Sequence, residues 1–178
     1  MDIWIEIQTD RERGARRLVA EYGDRLFATA CLLCRNAEDA EELVFRTLER
    51  AVTHIASYEP RGDFLGWLST IQLNFWRMDV RKNRPHLVPM GTVQELPEVA
   101  DETLVDALSG VDTELIRTAV RQLPPLFSEV LILRFFEGRS LEEIAEMNAI
   151  PLGTVKSRLN HAKAALRAAL EELKGGQS

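Results

Sequence analysis

Ser140-Leu-Glu-Glu-Ile-Ala-Glu-Met-Asn-Ala-Ile-Pro-Leu-Gly-Thr-Val-Lys-Ser-Arg-Leu-Asn-His161 carries two helices and the turn between them. Its first four residues are a capping box: the Ser140 hydroxyl caps a helix while Glu143 reaches back to the free backbone N–H. A short helix follows to about Met147. Asn148-Ala-Ile-Pro makes a tight turn, and a longer helix begins near Gly153-Thr154 and continues to about Leu173. A short helix, a brief turn and a longer helix make a helix-turn-helix.

The second helix has two distinct faces. Val155, Leu159, Ala162 and Leu166 fall at helical spacing and form a stripe that packs on Ile144, Ala145 and Ile150. Ser157, Asn160, His161 and Ala164 point the other way, flanked by Thr154 and Lys156. From Gly153 to Leu170 there are four Lys or Arg and no acid. A helix entering a major groove needs such a face, because acids repel phosphates while amides and hydroxyls read base edges. An amphipathic surface helix would share the apolar stripe. The capped first helix, the short turn and the missing acids favour DNA.

Upstream, one helix covers about Thr113 to Gln122. Leu123-Pro-Pro125 ends it, and Pro125 suits the first turn of the next helix, which runs to Phe136 and is closed by Glu137-Gly138. Residues 113–174 thus read as one helical domain. Residues 85–112 carry three prolines, two glycines and six acids with no Lys or Arg, and read as an acidic linker, although Thr103 to Leu108 keeps some periodicity.

Residues 10–84 read as a second helical domain. Leu18, Val19, Tyr22, Leu26, Ala30 and Leu33 recur at three and four. Asn36 is a plausible N-cap for a helix with Leu43, Val44, Leu48, Ala51, Val52 and Ile55. Residues 58–63 form a loop. A third helix from about Phe64 to Lys82 carries Phe64, Trp67, Leu68, Ile71, Phe75 and Met78. Alternating β-branched runs are scarce, so the expected fold is all-α, with two small helical domains joined by the linker.

Composition narrows the function. At 46% hydrophobic, the 178 residues can build a packed core. No apolar run approaches the roughly 20 residues of a membrane span, and the N-terminus lacks a signal-peptide core, so a cytoplasmic protein is expected. The net charge of −6 looks wrong for a DNA binder, but residues 85–113 hold six acids and no base while both flanks are near neutral. Cys31 and Cys34 could form a redox or zinc half-site; without a second Cys or His pair they read as small helix residues. His54, His86 and His161 are scattered, and no catalytic pair, metal cluster or phosphate loop is visible. Neither an enzyme nor a cofactor is expected.

Arg121-Gln-Leu-Pro-Pro-Leu-Phe-Ser-Glu-Val-Leu-Ile-Leu-Arg-Phe-Phe-Glu-Gly-Arg-Ser-Leu-Glu-Glu-Ile-Ala, followed by Ile150-Pro-Leu-Gly-Thr-Val-Lys-Ser-Arg-Leu, closely resembles region 4 of extracytoplasmic-function (ECF) sigma factors of the sigma-70 family. Ala37-Glu-Asp-Ala-Glu-Glu-Leu-Val44, Phe64-Leu-Gly-Trp-Leu68, Ile71, Asn74 and the basic tail Arg77, Arg81, Lys82 and Arg84 resemble region 2. The spacing of Asn74 and Asp79 and the Cys-Arg-Asn entry to the second helix are similar to the subgroup serving the general stress response of alphaproteobacteria.

The resemblance implies a division of labour. Region 4 would read the minus-thirty-five element with Thr154, Lys156, Ser157, Arg158, Asn160 and His161. Region 2 would bind core RNA polymerase through Asp39, Glu42, Leu43 and Arg46. It would also open the minus-ten element, which requires a pocket for an unstacked base and cations for the displaced strand. Arg61, Phe64, Trp67 and Asn74 are candidates for the first task and Arg77, Arg81 and Lys82 for the second; Phe64 and Trp67 read equally well as core packing. An anti-sigma partner is implied by the family alone. The acidic linker reads either as an RNA mimic in a polymerase channel or as a solvated spacer. The sequence departs from the family at Phe45-Arg46, where Gln-Glu is usual, at His161, where Arg is common, and at Ala149, where Gly is usual. Phe45, Arg46 and the acidic charge suit a second reading, a sigma mimic that sequesters an anti-sigma protein without initiating transcription.

Overall fold

The computed structural model describes residues 2–83 and 100–176, and of Glu102 the backbone alone. The first part of the predicted linker, residues 85–99, and Arg84 lie outside the described residues. The chain divides into two compact units, and the described residues contain helices and no strand.

The first unit holds α1 (Ile3–Thr9), α2 (Arg11–Leu33), α3 (Ala37–Thr53) and α4 (Phe64–Asn83). Asn36 caps α3 as predicted, its side-chain oxygen accepting from the Asp39 amide at 2.8 Å. Leu18, Leu26, Leu43, Leu68 and Leu73 are fully buried between the helices. Two side chains tie α4 to the backbone of α2: Gln72 donates to the Leu26 carbonyl at 2.9 Å and the Trp76 indole to that of Leu33 at 3.2 Å.

Two residues of the predicted apolar stripes face outward instead: Val19 is 55% and Met78 52% exposed. Met78 falls outside the arc that Leu73 and Trp76 bury on α4, whereas the spacing on α2 does not explain the exposure of Val19. The N-terminal residues form α1, a helix absent from the sequence reading. The side chain of Asp10 accepts from the Arg13 amide to start α2, and the two helices meet where Gly14 allows it.

The second unit holds α5 (Asp101–Leu108), α6 (Thr113–Gln122), α7 (Pro125–Leu131), α8 (Leu141–Asn148) and α9 (Leu152–Gly175). The backbone of α7 widens into a π-helical turn over Ile132–Phe136 and leaves it at Gly138, whose φ of 70° suits glycine. Part of the segment read as linker, 85–112, is therefore helix: α5 buries Leu104 completely and packs against α9. Its composition suggested a spacer; one buried leucine and an ion pair (below) make it part of the domain.

Candidate nucleic-acid interface

The helix-turn-helix forms from α8 and α9. The capping box is complete: the Glu143 amide donates to the Ser140 hydroxyl at 3.1 Å, and the Ser140 amide donates to the Glu143 carboxylate at 2.7 Å. The bond from the Ser140 amide, helped by the Ser140 hydroxyl and the nearby Arg139, holds the Glu143 carboxyl below its ordinary range. Ala149 ends α8 in the left-handed region, φ 50° and ψ 45°, which explains why glycine is usual there. Pro151 then precedes α9, whose first residue is Leu152, slightly earlier than predicted.

Val155, Leu159, Ala162 and Leu166 are all buried, as their spacing requires. Lys156 is exposed, while Thr154, Ser157, Arg158, Asn160 and His161 are half-buried. The first turn of α9 carries no acid, so its free amides and dipole favour an anion such as a DNA phosphate. His161 has one face occupied: its ring stacks on Phe127 at 5.6 Å between centroids, with planes 12° apart.

On the first unit, Asn74, Arg81 and Lys82 are exposed on α4 and Arg77 is half-buried. Asn74, Arg77, Met78 and Arg81 follow one another at helical spacing, so this face combines cations, an amide and the exposed Met78 thioether, which its spacing places in the core. Arg77 donates to the Asn74 side chain at 2.9 Å. Arg61 projects from the loop before α4, with its side chain 87% exposed beside Glu59.

The aromatic candidates part company. Phe64 is only 8% exposed and is packed edge-on by Tyr22 and Tyr58 at 5.4 and 5.0 Å. With its ring enclosed, it supports the loop and has no face for a base. Trp67 is half-buried and lies against Phe64 and Tyr58. Tyr58, which the sequence reading assigned no role, sits at the centre of this cluster. Its hydroxyl donates to the Gly62 carbonyl at 3.2 Å and closes the loop. Burial raises the pKa of that hydroxyl, and nearby Asp63 adds to the effect, so it stays a donor.

The polymerase-binding candidates also separate. Asp39 and Glu42 are exposed on α3. Leu43 is 2% exposed and belongs to the core, so it offers no contact. Arg46 turns toward α4: it pairs with Asp79 at 2.8 Å and lies 4.5 Å over the Phe75 ring. The reversed charge at this position is spent inside the unit. Phe45, by contrast, is 66% exposed.

A second helix of the helix-turn-helix without an acid before Glu171 in one helical unit, and a cation-edged helix face in another, define a two-domain helix-turn-helix transcription protein. Residues 18–86 match the model of sigma-70 region 2 and residues 113–166 that of sigma-70, region 4. The ECF RNA polymerase sigma factor EcfG of Rhodopseudomonas palustris is 35% identical over 152 residues, covering 82% of this chain and 78% of that one. The ECF RNA polymerase sigma factor SigE of Mycolicibacterium smegmatis is 32% identical over 160 residues; the match takes in 84% of this chain but 59% of that one. Among solved structures, the sigma factor RpoE in complex with the anti-sigma factor NepR from Bartonella quintana matches with a TM-score of 0.67 at 26% identity, over 88% of this chain and 96% of that one. The chain belongs to the sigma-70 family, among the ECF sigma factors.

Proposed function

We propose that this protein binds core RNA polymerase and directs initiation at specific promoters. The N-terminal half of α9 reads the minus-thirty-five element through Thr154, Lys156, Ser157, Arg158, Asn160 and His161. The exposed face of α4, with Asn74, Arg77, Arg81 and Lys82, takes the minus-ten element with Arg61 and the half-buried Trp67. The first half of α3, with Asp39, Glu42 and Phe45, meets the polymerase. An anti-sigma protein holds the factor inactive, a reading supported by the likeness to RpoE in its complex with NepR. The site of action is the cytoplasm; among the described residues no helix is long and apolar enough to cross a membrane.

The observation that carries this reading is the capped helix-turn-helix with an acid-free recognition face, in one chain with a second unit whose α4 aligns an amide and cations. Domain limits follow: residues 10–84 with α1 added in front, and residues 113–174 with α5 added in front. Run-off transcription with purified core polymerase on a promoter library tests it, and protein-dependent transcripts of defined start are expected. The sigma-mimic reading retains the exposed Phe45 as its support but loses Arg46, which is paired internally. Failure to bind core and to yield a transcript, with an anti-sigma protein still bound, would favour the mimic.

A further inference from the structure

We infer that α1 braces the loop of residues 58–63 and that Trp4 is the positioning residue through which it acts. The inference rests on the reading of that loop as part of the minus-ten site.

Several features show that α1 is firmly seated. A Cβ at position 14 would lie 2.6 Å from both the Cα and the backbone nitrogen of Ile7, so the helices touch at a point only glycine permits. Ile3 and Ile7 are buried in the same core as Leu18, Ile55 and Phe64. Glu6 is 3% exposed, and its carboxylate is gripped by Arg13 at 2.7 Å and Arg17 at 2.9 Å. A buried carboxylate holding two arginines fixes the rotation of a seven-residue helix that could not persist alone.

That rotation delivers Trp4 to Tyr58, with ring centroids 6.1 Å apart and planes 58° apart. Tyr58 begins the loop. Its other ring neighbours, Phe64 and Trp67, come from α4, which follows the loop. At the far end, Asp63 accepts from the Gly66 amide and starts α4. Both ends of the loop and the Tyr58–Gly62 hydrogen bond are thus local to it, and Trp4 is a wall that α1 supplies to Tyr58 from elsewhere in the sequence. Without that ring, Tyr58 gains room to rotate, its bond to Gly62 is released, and Arg61 leaves the place from which it meets DNA.

Two variants test this, with one control. Trp4→Ala removes the ring and leaves Ile3 and Ile7 seated. Gly14→Ala lifts α1 while improving the helix propensity of α2. Trp4→Phe keeps an aromatic contact. Limited trypsin digestion of the full chain, following the fragment that ends at Arg61, reads the loop without any partner. A minus-ten probe carrying 2-aminopurine reads opening by the chain with core polymerase. Trp4→Ala and Gly14→Ala should be cut after Arg61 several-fold faster than the parent and should open the promoter about tenfold less, with core affinity unchanged; Trp4→Phe should behave as the parent. Parental cleavage in Trp4→Ala, or faster cleavage with parental opening, would overturn the inference and leave α1 as packing alone. If the parent itself opens no promoter, the minus-ten reading fails, while the cleavage rates still decide whether α1 braces the loop.

Discussion

The Asp101 carboxylate lies 2.5 Å from the ammonium of Lys163, a residue only 4% exposed, and accepts two further hydrogen bonds from Arg134 at 3.0 and 3.1 Å. Burial alone would raise the pKa of Asp101, but the bonds from Lys163 and Arg134 outweigh it and hold the group below its ordinary 3.8. A carboxyl with a lowered folded pKa stabilises the fold above its ordinary range. That contribution is lost as pH falls through the lowered value. The docking of α5 should therefore weaken below about pH 4. Asp101→Asn should cost the second unit about 2 kcal/mol in urea denaturation, the figure for a broken buried pair reduced because this carboxylate is one-third exposed. It should also remove part of the acid sensitivity. An unchanged urea midpoint would show that Leu104 alone holds α5.

Ala149 carries the strain of a left-handed residue at the turn of the helix-turn-helix. Ala149→Gly should stabilise the second unit by about 1 kcal/mol. Minus-thirty-five affinity should be unchanged, because the side chain ends a helix and makes no proposed contact with DNA. A calorimetric melt of the variant beside a promoter-binding isotherm checks both.

Lys156 stands exposed on the recognition helix. If it touches a phosphate, Lys156→Ala should weaken binding to all promoter sequences alike and lower the slope of log affinity against log salt by about 1. Arg158→Ala should act the same way, with an added loss of packing because Arg158 is half-buried. A promoter titration at several salt concentrations decides; an unaltered slope would take the residue off the contact list.

Phe45 and Arg46 adjoin in sequence and differ in role. Phe45→Ala should leave thermal stability within about 0.5 kcal/mol, as for other exposed positions, and weaken binding to core polymerase about tenfold, the effect of losing one aromatic anchor at an interface. Arg46→Gln should do the reverse: it breaks a partly exposed ion pair with Asp79 and the contact with Phe75, at a cost of about 1 kcal/mol in stability, with polymerase affinity little changed. Equal effects of both substitutions on affinity would place Arg46 in the interface after all.

What the sequence disclosed follows a physical division. The helix-turn-helix was legible because its signals are local: a capping box within four residues, a four-residue turn, and an apolar stripe with a regular period. The loop at residues 58–63 was legible from its proline and glycine. The helix α1 was not, because its order depends on contacts beyond its own seven residues, with Gly14 against Ile7 and Arg17 reaching Glu6. Nor was α5, whose acids read as a spacer until Lys163, far along the chain, is brought beside Asp101. Among the site residues, spacing placed Phe64 and Trp67 on one helix but could not say which ring the core would enclose. Composition gave Arg46 a charge but not a direction.

The inward turn of Arg46 has a consequence for encounter rather than contact. From Ala37 to Phe45 the exposed residues of α3 include Glu38, Asp39, Glu41 and Glu42, with no cation among them. Such a stretch projects a field of one sign into the solvent, over a distance of about 8 Å at physiological ionic strength. It would draw a basic partner surface toward α3 and orient it before the Phe45 ring is desolvated, so salt would slow capture more than it hastens release.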